Sequence, residues 1–303
     1  MKGLAFLIVC ALALTGCTTP ATPTKQGEAT TTPQPTETID TTTSQEPLVE
    51  SIDHPATAPN TDTQEEANNQ TVDSILNGTL RVVDVGQGSA AIVDLDGAII
   101  VYDTANRFSA NYQPLLDALN DMGVTRIDHF VISHPDADHS GGCEHVFAAF
   151  EVDQFYHPGY NHDTQTWQRC LDAAQAEGSD IWTESELADD PTLRMAGGLG
   201  LSNRILHMDA DASDPNAASL SLRIDFGETS MILVGDTDCT VESKILATSI
   251  DVDVDILEVG HHGSKTGTCT AWLEATTPLY AYISAGANNT YGHPSQEDRK
   301  SVV

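Results

Sequence analysis

Between residues 80 and 132, short runs of β-branched and other apolar residues are separated by turn residues. Three runs lie close together, at residues 80–85, 89–95 and 98–104. They are separated by Gly-Gln-Gly and by Asp-Gly, which are typical turn sequences. A fourth run, Ile127 to Ile132, follows a segment with helical spacing of apolar residues that stops at Gly123. The pattern predicts strands with one intervening helix.

Strands and helices continue to alternate toward the C-terminus. Residues 183–203 are polar and glycine-rich, and they predict no element. Repeated strand and helix alternation is typical of α/β folds, in which helices cover the outer faces of the sheets. The pattern predicts helices at 143–150, 164–177 and 241–247, and strands at 152–159, 219–227, 229–238 and up to Val259.

One loop concentrates the residues that carry chemistry. The run ending at Ile132 is followed by His134, Asp136, Asp138 and His139, all within six residues. Imidazoles and carboxylates are the ligands by which proteins bind zinc, manganese and iron. One short loop cannot place all four around a single ion, so two adjacent metal ions are expected. The alternative is a solvated acidic turn, since Asp, Pro, Ser and Gly are ordinary turn residues.

This loop, SHPDADHSGG, resembles the His-x-His-x-Asp-His motif of the metallo-β-lactamase superfamily, with Asp136 in place of the second histidine. That replacement is common in the hydrolase domain of the competence protein ComEC. The resemblance implies the αββα sandwich of the superfamily, an α/β fold with two mixed β-sheets and helices on their outer faces. Five further blocks resemble the ComEC branch, in its order: DVGQG (84–88), VYDTA (101–105), VGDTD (234–238), LEVGHHGSKTGT (257–268) and YGHPS (291–295).

The resemblance also implies roles for the metal ligands. Asp236 is expected to bridge the two metals, although a cap for the following helix is the alternative, a role that better suits Asp238. His262 is the favoured ligand from the HHGS block and His261 the second choice, because adjacent strand residues point to opposite faces and spacing does not separate them. Asp103 is expected to orient the ligand loop rather than to bind metal.

Catalysis is expected from Asp138, Asp236 and His293, the last as a ligand or a proton donor beside the metals. Ser264 and Lys265 are positioned to meet an anionic group, although a lysine on a solvated loop is equally ordinary.

Three other polar residues are expected to lie outside the metal shell. His157 and His162 are interpreted as surface or substrate-cleft residues rather than ligands. Ser89 stands where the family usually has aspartate, which makes a polar contact from this position doubtful.

The implied activity is metal-assisted hydrolysis with two divalent ions, zinc or manganese. One site would rest on His134, Asp136 and Asp236, an oxygen-rich set that suits manganese better than zinc. A phosphodiesterase or nuclease-like activity is expected, because the family branch acts on nucleic acid. Two alternatives stay open: a lactone or β-lactam hydrolase, and a surface binding lipoprotein of the same fold that has lost catalysis.

The charge of the chain narrows the substrates. It has 13 basic and 45 acidic residues, a formal net charge of −32. Such a surface repels phosphate backbones and does not steer nucleic acid toward the protein. A small phosphodiester or a short single-stranded nucleic acid is therefore at least as plausible a substrate as a long polyanion.

The N-terminus resembles that of an exported bacterial lipoprotein. An apolar run from Gly3 to Leu14 follows Lys2 and leads to Leu-Thr-Gly-Cys. This run suits a signal-peptide core better than a membrane span. We expect a signal peptide at 1–16, lipid on Cys17 and anchoring to the extracellular face of the membrane without a spanning helix; a plain secretory signal is the alternative. A membrane uptake complex is a possible partner.

Residues 17–73 are rich in Thr, Pro and acidic residues and nearly free of large apolar ones. Such a segment cannot bury enough surface to offset its ordering entropy, so we expect a disordered tether. The hydrolase domain is expected at 74–303. Because relatives continue past the GHPS block with a helix and closing strands, a truncated C-terminus is also expected.

Cysteine usage fits export, where disulfides form. Beyond Cys10 and Cys17 four cysteines remain, which allow three pairings that sequence cannot separate. We expect Cys143 with Cys170 and Cys239 with Cys269.

Overall fold

The structure is a computed structural model that describes residues 7–10, 78–187 and 202–296. The chain divides into two units, one made of Met1–Ala13 and Ser74–Val303 and the other of Leu14–Asp73. The predicted tether, Cys17 and most of the predicted signal peptide lie outside the described residues. The boundaries at residues 16 and 73 therefore stay predictions.

The first unit contains two mixed β-sheets. The larger sheet has seven strands in chain order, parallel to their neighbours except where β2, β3 and β4 form antiparallel hairpins. Its strands are β1 (Leu7–Cys10), β2 (Gly78–Val82), β3 (Ala91–Leu95), β4 (Ala98–Tyr102), β5 (Arg126–Val131), β6 (Glu151–Tyr156) and β7 (Asp180–Trp182).

The smaller sheet has five strands in the order β12-β11-β10-β9-β8. Strands β10, β11 and β12 are parallel, while β8 and β9 complete an antiparallel edge. The bounds are β8 (Ser202–His207), β9 (Ser221–Phe226), β10 (Thr229–Leu233), β11 (Ile256–Glu258) and β12 (Tyr280–Tyr282).

Among the described residues, seven α-helices connect the strands. Gly178, with a left-handed φ of 94°, ends α4, a conformation that glycine adopts without a steric penalty. The bounds are α1 (Ser109–Asp121), α2 (Ala137–Ser140), α3 (Cys143–Ala149), α4 (Gln165–Glu177), α5 (Glu184–Leu187), α6 (Cys239–Ala247) and α7 (Thr270–Thr276).

Three apolar clusters arrange these elements in four layers. Because side chains alternate along a strand, Val93 of β3 faces the smaller sheet, where Leu222 and Phe226 lie, while Ile92 faces outward. The outward face of the larger sheet packs against α1, α3 and α4. The outer face of the smaller sheet packs against α6 and α7. The predicted αββα sandwich is confirmed.

Both predicted disulfides are present. Cys143–Cys170 joins α3 to α4, and Cys239–Cys269 joins the first residue of α6 to the residue before α7. Each bridge therefore ties together helices on one outer layer of the sandwich.

The elements that the sequence did not predict are short. Strands β7 and β12 have three residues each and α5 has four, too few to show a period. Strand β7 ends just before the polar segment at 183–203, and α5 lies within it. Helix α7 carries one large buried side chain, Trp272, and so lacks an apolar stripe.

Strand β1 falls inside the predicted signal peptide, where it lies parallel to β2. Cleavage of the signal peptide would remove β1. The pairing of β1 with β2 therefore describes the uncleaved chain, whereas the predicted lipoprotein is the cleaved chain. In the part of the chain that the structure describes, no helix is both long and apolar enough to cross a bilayer.

The core of the sandwich contains a histidine that makes the fold sensitive to acid. His129 of β5 is 1% exposed and lies 5.8 Å from the ring of Tyr156. Neither ring nitrogen has a hydrogen-bond partner among the described residues. Burial lowers its pKa from 6.5 to about 4, against the opposing charge of Asp128. The folded chain therefore holds this ring neutral where an unfolded chain would protonate it.

We expect His129→Leu to flatten the loss of stability in acid. With a depressed folded pKa, the wild type loses stability as pH falls through 6.5 toward 4, by up to about 3 kcal/mol from this residue. Urea unfolding at about pH 7.5 and about pH 5 measures the difference. His145→Leu, at a partly exposed position of α3, is the control and should keep the wild-type dependence. Equal acid sensitivity of His129→Leu and wild type would contradict the assignment.

Candidate metal centre

The carboxyl ends of two sets of parallel strands meet at one edge of the sandwich and bring the predicted residues together. In the larger sheet, Asp103 follows β4 directly and the loop bearing His134 and His139 follows β5. In the smaller sheet, Asp236 follows β10 and His262 follows β11. Loops at carboxyl ends of parallel strands are where open α/β sheets bind ligands.

Asp236 lies at the middle of the cluster and faces histidines with both oxygens. Its Oδ1 is 3.1 Å from His139 Nε2 and 3.5 Å from His262 Nε2. Its Oδ2 is 4.0 Å from His134 Nε2 and 3.7 Å from His261 Nε2. Each carboxylate oxygen thus faces a different pair of imidazoles.

Within this cluster, two groups of side chains could each hold a cation, and they share His139. One consists of His134, His139 and Asp236, and the other of Asp138, His139 and His262. In the second group His262 Nε2 lies 3.1 Å from His139 Nε2 and 3.4 Å from Asp138 Oδ2. Asp136 borders the first group, with its Oδ2 3.8 Å from His134 Nε2.

The donor atoms fit bound cations. His134 is fully buried, and its Nε2 has no hydrogen-bond partner among the described residues. An unpaired polar atom in such a place is costly. Its carboxylate neighbours at 3.8 Å and 4.0 Å are too distant for a hydrogen bond. Two metal–ligand bonds of about 2.0–2.2 Å would span either gap.

Asp103 fixes the ring of His139, as predicted for a residue that orients the loop. Its Oδ2 is 2.7 Å from His139 Nδ1, and it accepts hydrogen bonds from the backbone N–H and the hydroxyl of Ser133. A carboxylate on Nδ1 leaves Nε2 directed at the site. His262 is oriented in the same way, because the carbonyl oxygen of Ser284 lies 2.7 Å from its Nδ1.

The cluster sets the charges of its carboxylates. Burial alone would raise the pKa of Asp138, but the hydrogen bond from His262 and the charge of His139 lower it to about 2. Burial opposes ionisation of Asp236 as well, yet His139 and His262 hold its pKa well below the ordinary range. In contrast, burial and the neighbouring Asp138 raise the pKa of Asp136. The two ionised carboxylates suit cation binding at neutral pH.

His261 and His262 do not belong to a strand, so the rule that adjacent strand residues point to opposite faces does not apply to them. Strand β11 ends at Glu258, and both histidines lie in a 3₁₀ turn with φ of 51° and 53°. Two consecutive non-glycine residues with left-handed φ are a strained arrangement. The turn directs both rings toward Asp236, but only His262 joins the buried group with Asp138.

The remaining predicted site residues lie around this cluster. His293 stacks on Tyr291 and lies 6.4 Å from the ring of His262; burial, then the charges of His261 and His262, lower its pKa. Ser264 is buried and its hydroxyl is shared with Thr266 within the turn, while Lys265 is exposed. Asp238 caps α6, as expected, by accepting from Thr240 and Val241.

The structure places His162 beside the site and buries His157 away from it. His162 Nε2 lies 3.9 Å from Asp136 Oδ1, beside the first group. His157, predicted at the surface or in a cleft, is buried against Trp167 and accepts from the Gly159 N–H. Burial lowers its pKa to about 4. Both histidines follow β6, whose carboxyl end adjoins that of β5. This adjacency is the feature from which a position near the metal loop could have been predicted.

A buried glutamate beneath the centre also escaped prediction. Glu258 accepts from the backbone N–H groups of Val234 and Gly235, just before Asp236, and from the Ser89 hydroxyl. Burial, then the charge of Asp103, raises its pKa to about 7. The doubt about a polar contact from Ser89 was wrong, because its hydroxyl links the two sheets through this carboxyl group.

Gly88 allows the DVGQG turn to support the metal loop. Its φ is 138°, and a Cβ there would lie 2.5 Å from the Asp138 carbonyl oxygen. A side chain at this position would displace Asp138.

The fold and this cluster together define an αββα protein with a histidine and aspartate site for divalent metal. The family model of the metallo-beta-lactamase superfamily matches residues 83–287, and the chain belongs to that superfamily, whose members are generally hydrolases.

The relatives confirm the predicted resemblance to the ComEC branch. The chain is 29% identical to ComE operon protein 3 of Bacillus subtilis over 73% of this chain and 30% of the relative. It is 28% identical to competence protein ComA of Neisseria gonorrhoeae over 73% of this chain and 29% of the relative. It thus spans about three tenths of the length of these curated relatives. Among solved structures, the metallo-beta-lactamase fold protein YhfI of Bacillus subtilis matches with a TM-score of 0.46 at 10% identity, covering 73% of this chain and 92% of that one.

Proposed function

We propose that this chain is a binuclear metal-dependent phosphodiesterase that acts on a small phosphodiester or a short single-stranded nucleic acid. The observation that carries the proposal is the position of Asp236. One of its oxygens faces the buried group with His139 and His262, and the other faces His134 and His261. A carboxylate between two sets of imidazoles is suited to bridge two cations.

The residues divide between the two predicted ions. His134, Asp136 and Asp236 would hold one, and His162 lies close enough to Asp136 to border it. Asp138, His139, His262 and Asp236 would hold the other. When bound, the ions would polarise a phosphoryl oxygen and lower the pKa of a water molecule toward neutrality. Manganese suits the first, oxygen-rich set, and zinc suits the second, which has two imidazoles.

The chain's own groups would orient the reaction. Asp103 and the Ser284 carbonyl hold the imidazoles of His139 and His262 in place. His293 lies beside the cluster, with its ring 6.4 Å from that of His262, and burial with the charges of His261 and His262 lowers its pKa. Its ring would be placed to take a proton from the attacking water and to pass it to the leaving oxygen.

The relatives support a phosphodiester substrate. One is named competence protein ComA and another ComE operon protein 3, and the family branch acts on nucleic acid. The net charge of −32 does not itself favour an anionic substrate, but it favours a short one over a long polyanion.

A substrate panel tests this function. We expect the chain to bind about two manganese or zinc ions and to hydrolyse bis-(p-nitrophenyl) phosphate, short single-stranded DNA or cyclic dinucleotides, while leaving nitrocefin and homoserine lactones intact. If the chain binds metal but hydrolyses only nitrocefin or lactones, it is a lactone or β-lactam hydrolase, and the phosphodiesterase proposal fails. Metal binding without turnover of any compound would favour a binding protein of this fold.

We also propose that lipid on Cys17 anchors the chain at the extracellular face of the membrane, where it could join an uptake complex. The apolar run and the Leu-Thr-Gly-Cys sequence support this. Labelled palmitate should enter the wild type and not Cys17→Ser. Equal labelling of both would exclude this anchor.

A further inference from the structure

A cleft of 430 Å³ opens beside the metal loop, next to the histidine and aspartate cluster. Its walls are Asn106 to Phe108, Ala137 of α2, and the first residues of α4 with Thr164 before them. Ala137 stands between Asp136 and Asp138 in the sequence, so the cleft wall is one Cα step, about 3.8 Å, from each of these residues. The volume lies in the range of small-ligand pockets.

Two neighbouring side chains give this cleft its chemistry. Phe108 is 57% exposed, which is unusual for a large aromatic ring. The guanidinium carbon of Arg107 lies 5.1 Å from the centre of that ring. Among the described residues no carboxylate forms an ion pair with Arg107, whereas Arg126, Arg169 and Arg223 each have at least one such partner. In a chain with 45 acidic residues, this cation is available to an anionic ligand.

Direct backbone packing fixes the segment to the metal loop. A Cβ at Gly141, just after α2, would lie 2.2 Å from the backbone nitrogen of Arg107 and 2.5 Å from the carbonyl carbon of Asn106. Two main chains therefore meet without an intervening side chain. The backbone at Asn106 and Arg107 therefore lies directly against the end of the metal loop.

We propose that this cleft binds the nucleotide adjacent to the scissile phosphodiester, with its base stacked on Phe108 and a phosphate paired with Arg107. The inference rests on the proposed phosphodiesterase function and names its substrate class. An exposed ring stacks on any base, and a guanidinium pairs with phosphate in two-point geometry. A nucleotide unit offers both partners at once. A local cation beside the loop also lets an acidic chain hold an anionic substrate.

Binding of two hydrolysis-resistant ligands to the metal-loaded full chain tests the inference. One is a labelled phosphorothioate oligothymidylate, and the other is an abasic phosphorothioate of equal length and charge. Fluorescence anisotropy should show about ten-fold weaker binding of the oligothymidylate to Phe108→Ala, and the preference of the wild type for the oligomer with bases should disappear. Arg107→Gln should weaken binding of both ligands and reduce the dependence on salt.

Matched controls carry the same changes away from the cleft. Tyr280→Ala removes a ring that is 61% exposed at the edge strand β12, and Arg126→Gln removes an arginine that pairs with Asp128 and Asp153 at the start of β5, the end opposite the metal loop. Both should bind like the wild type. Three results would each overturn the base site: the wild type binds the two ligands equally, the wild type binds neither ligand, or Phe108→Ala binds the oligothymidylate as tightly as the wild type does.

The outcome for the base site is separable from that for the proposed function. If the chain hydrolyses no phosphodiester but Phe108→Ala still weakens oligothymidylate binding, the cleft binds nucleotides and the catalytic proposal fails. If bis-(p-nitrophenyl) phosphate is hydrolysed but the two ligands bind equally, the catalytic proposal stands and the base site fails.

Discussion

Replacing Asp236 with asparagine is expected to abolish phosphodiester hydrolysis and to lower the metal content of the chain. The substitution keeps the size of the side chain but replaces one carboxylate oxygen with an NH₂ group and removes the negative charge. The NH₂ group replaces either Oδ1, which lies 3.1 and 3.5 Å from two imidazole nitrogens, or Oδ2, which lies 3.7 and 4.0 Å from two others. In either case two imidazoles face a hydrogen-bond donor where the wild type has an acceptor. Because loss of an outer partner alone costs roughly ten- to a hundred-fold in affinity or activity, we expect at least about a hundred-fold loss of turnover.

The same loop provides the control. Asp238 lies two residues further on and caps α6 through Thr240 and Val241. Asparagine caps helices about as well as aspartate, so Asp238→Asn should keep its stability, metal content and turnover. Elemental analysis and bis-(p-nitrophenyl) phosphate turnover of the two variants measure the difference. If Asp236→Asn keeps two ions and full turnover, Asp236 does not bridge and the site needs another assignment.

The sequence predicted the parts of the site that depend on local pattern. His134 to His139 follow a run of apolar residues, and a strand that ends in such a loop can be recognised without knowing its neighbours. The resemblance assigned Asp236 to the cluster, and the helix expected from Val241 onward made Asp238 the better cap; the structure places both residues accordingly. The order of the blocks then indicated the sandwich.

Tertiary placement decided what the sequence did not predict. Glu258 was read as part of an apolar strand, yet it forms a buried link between Ser89 in one sheet and the Asp236 loop in the other. His157 and His162 have similar sequence surroundings, but the turn after β6 buries the first against Trp167 and leaves the second beside Asp136. Neither distinction is visible without the neighbouring elements. The left-handed turn at His261 likewise has no local signal, because glycine usually supplies that conformation.

Removal of the Cys239–Cys269 disulfide is expected to reduce both stability and metal affinity. The bridge closes a loop with a sequence separation of 30 residues, for which chain entropy gives about 3.5 kcal/mol of stabilisation. It also joins the two ligand segments of the smaller sheet, since Cys239 follows Asp236 by three residues and Cys269 follows His262 by seven. Two hydrogen bonds reinforce it: Cys239 N–H donates to the Thr266 carbonyl, and Cys269 N–H donates to the side-chain carboxylate of Glu242.

A variant without the other disulfide distinguishes the effect on stability from the effect on metal affinity. Cys143–Cys170 closes a loop of similar length, with a separation of 27 residues, but it joins the metal-loop segment to α4, which bears none of the predicted ligands. The paired alanine variants should therefore lose similar amounts of unfolding free energy, about 3 to 4 kcal/mol each in urea unfolding of the metal-free chain. Chelator competition for zinc should show the larger loss of affinity in Cys239→Ala/Cys269→Ala, because only this variant frees Asp236 and His262 to separate. Equal losses of affinity in the two variants would mean that the disulfide stabilises the fold without setting the geometry of the metal centre.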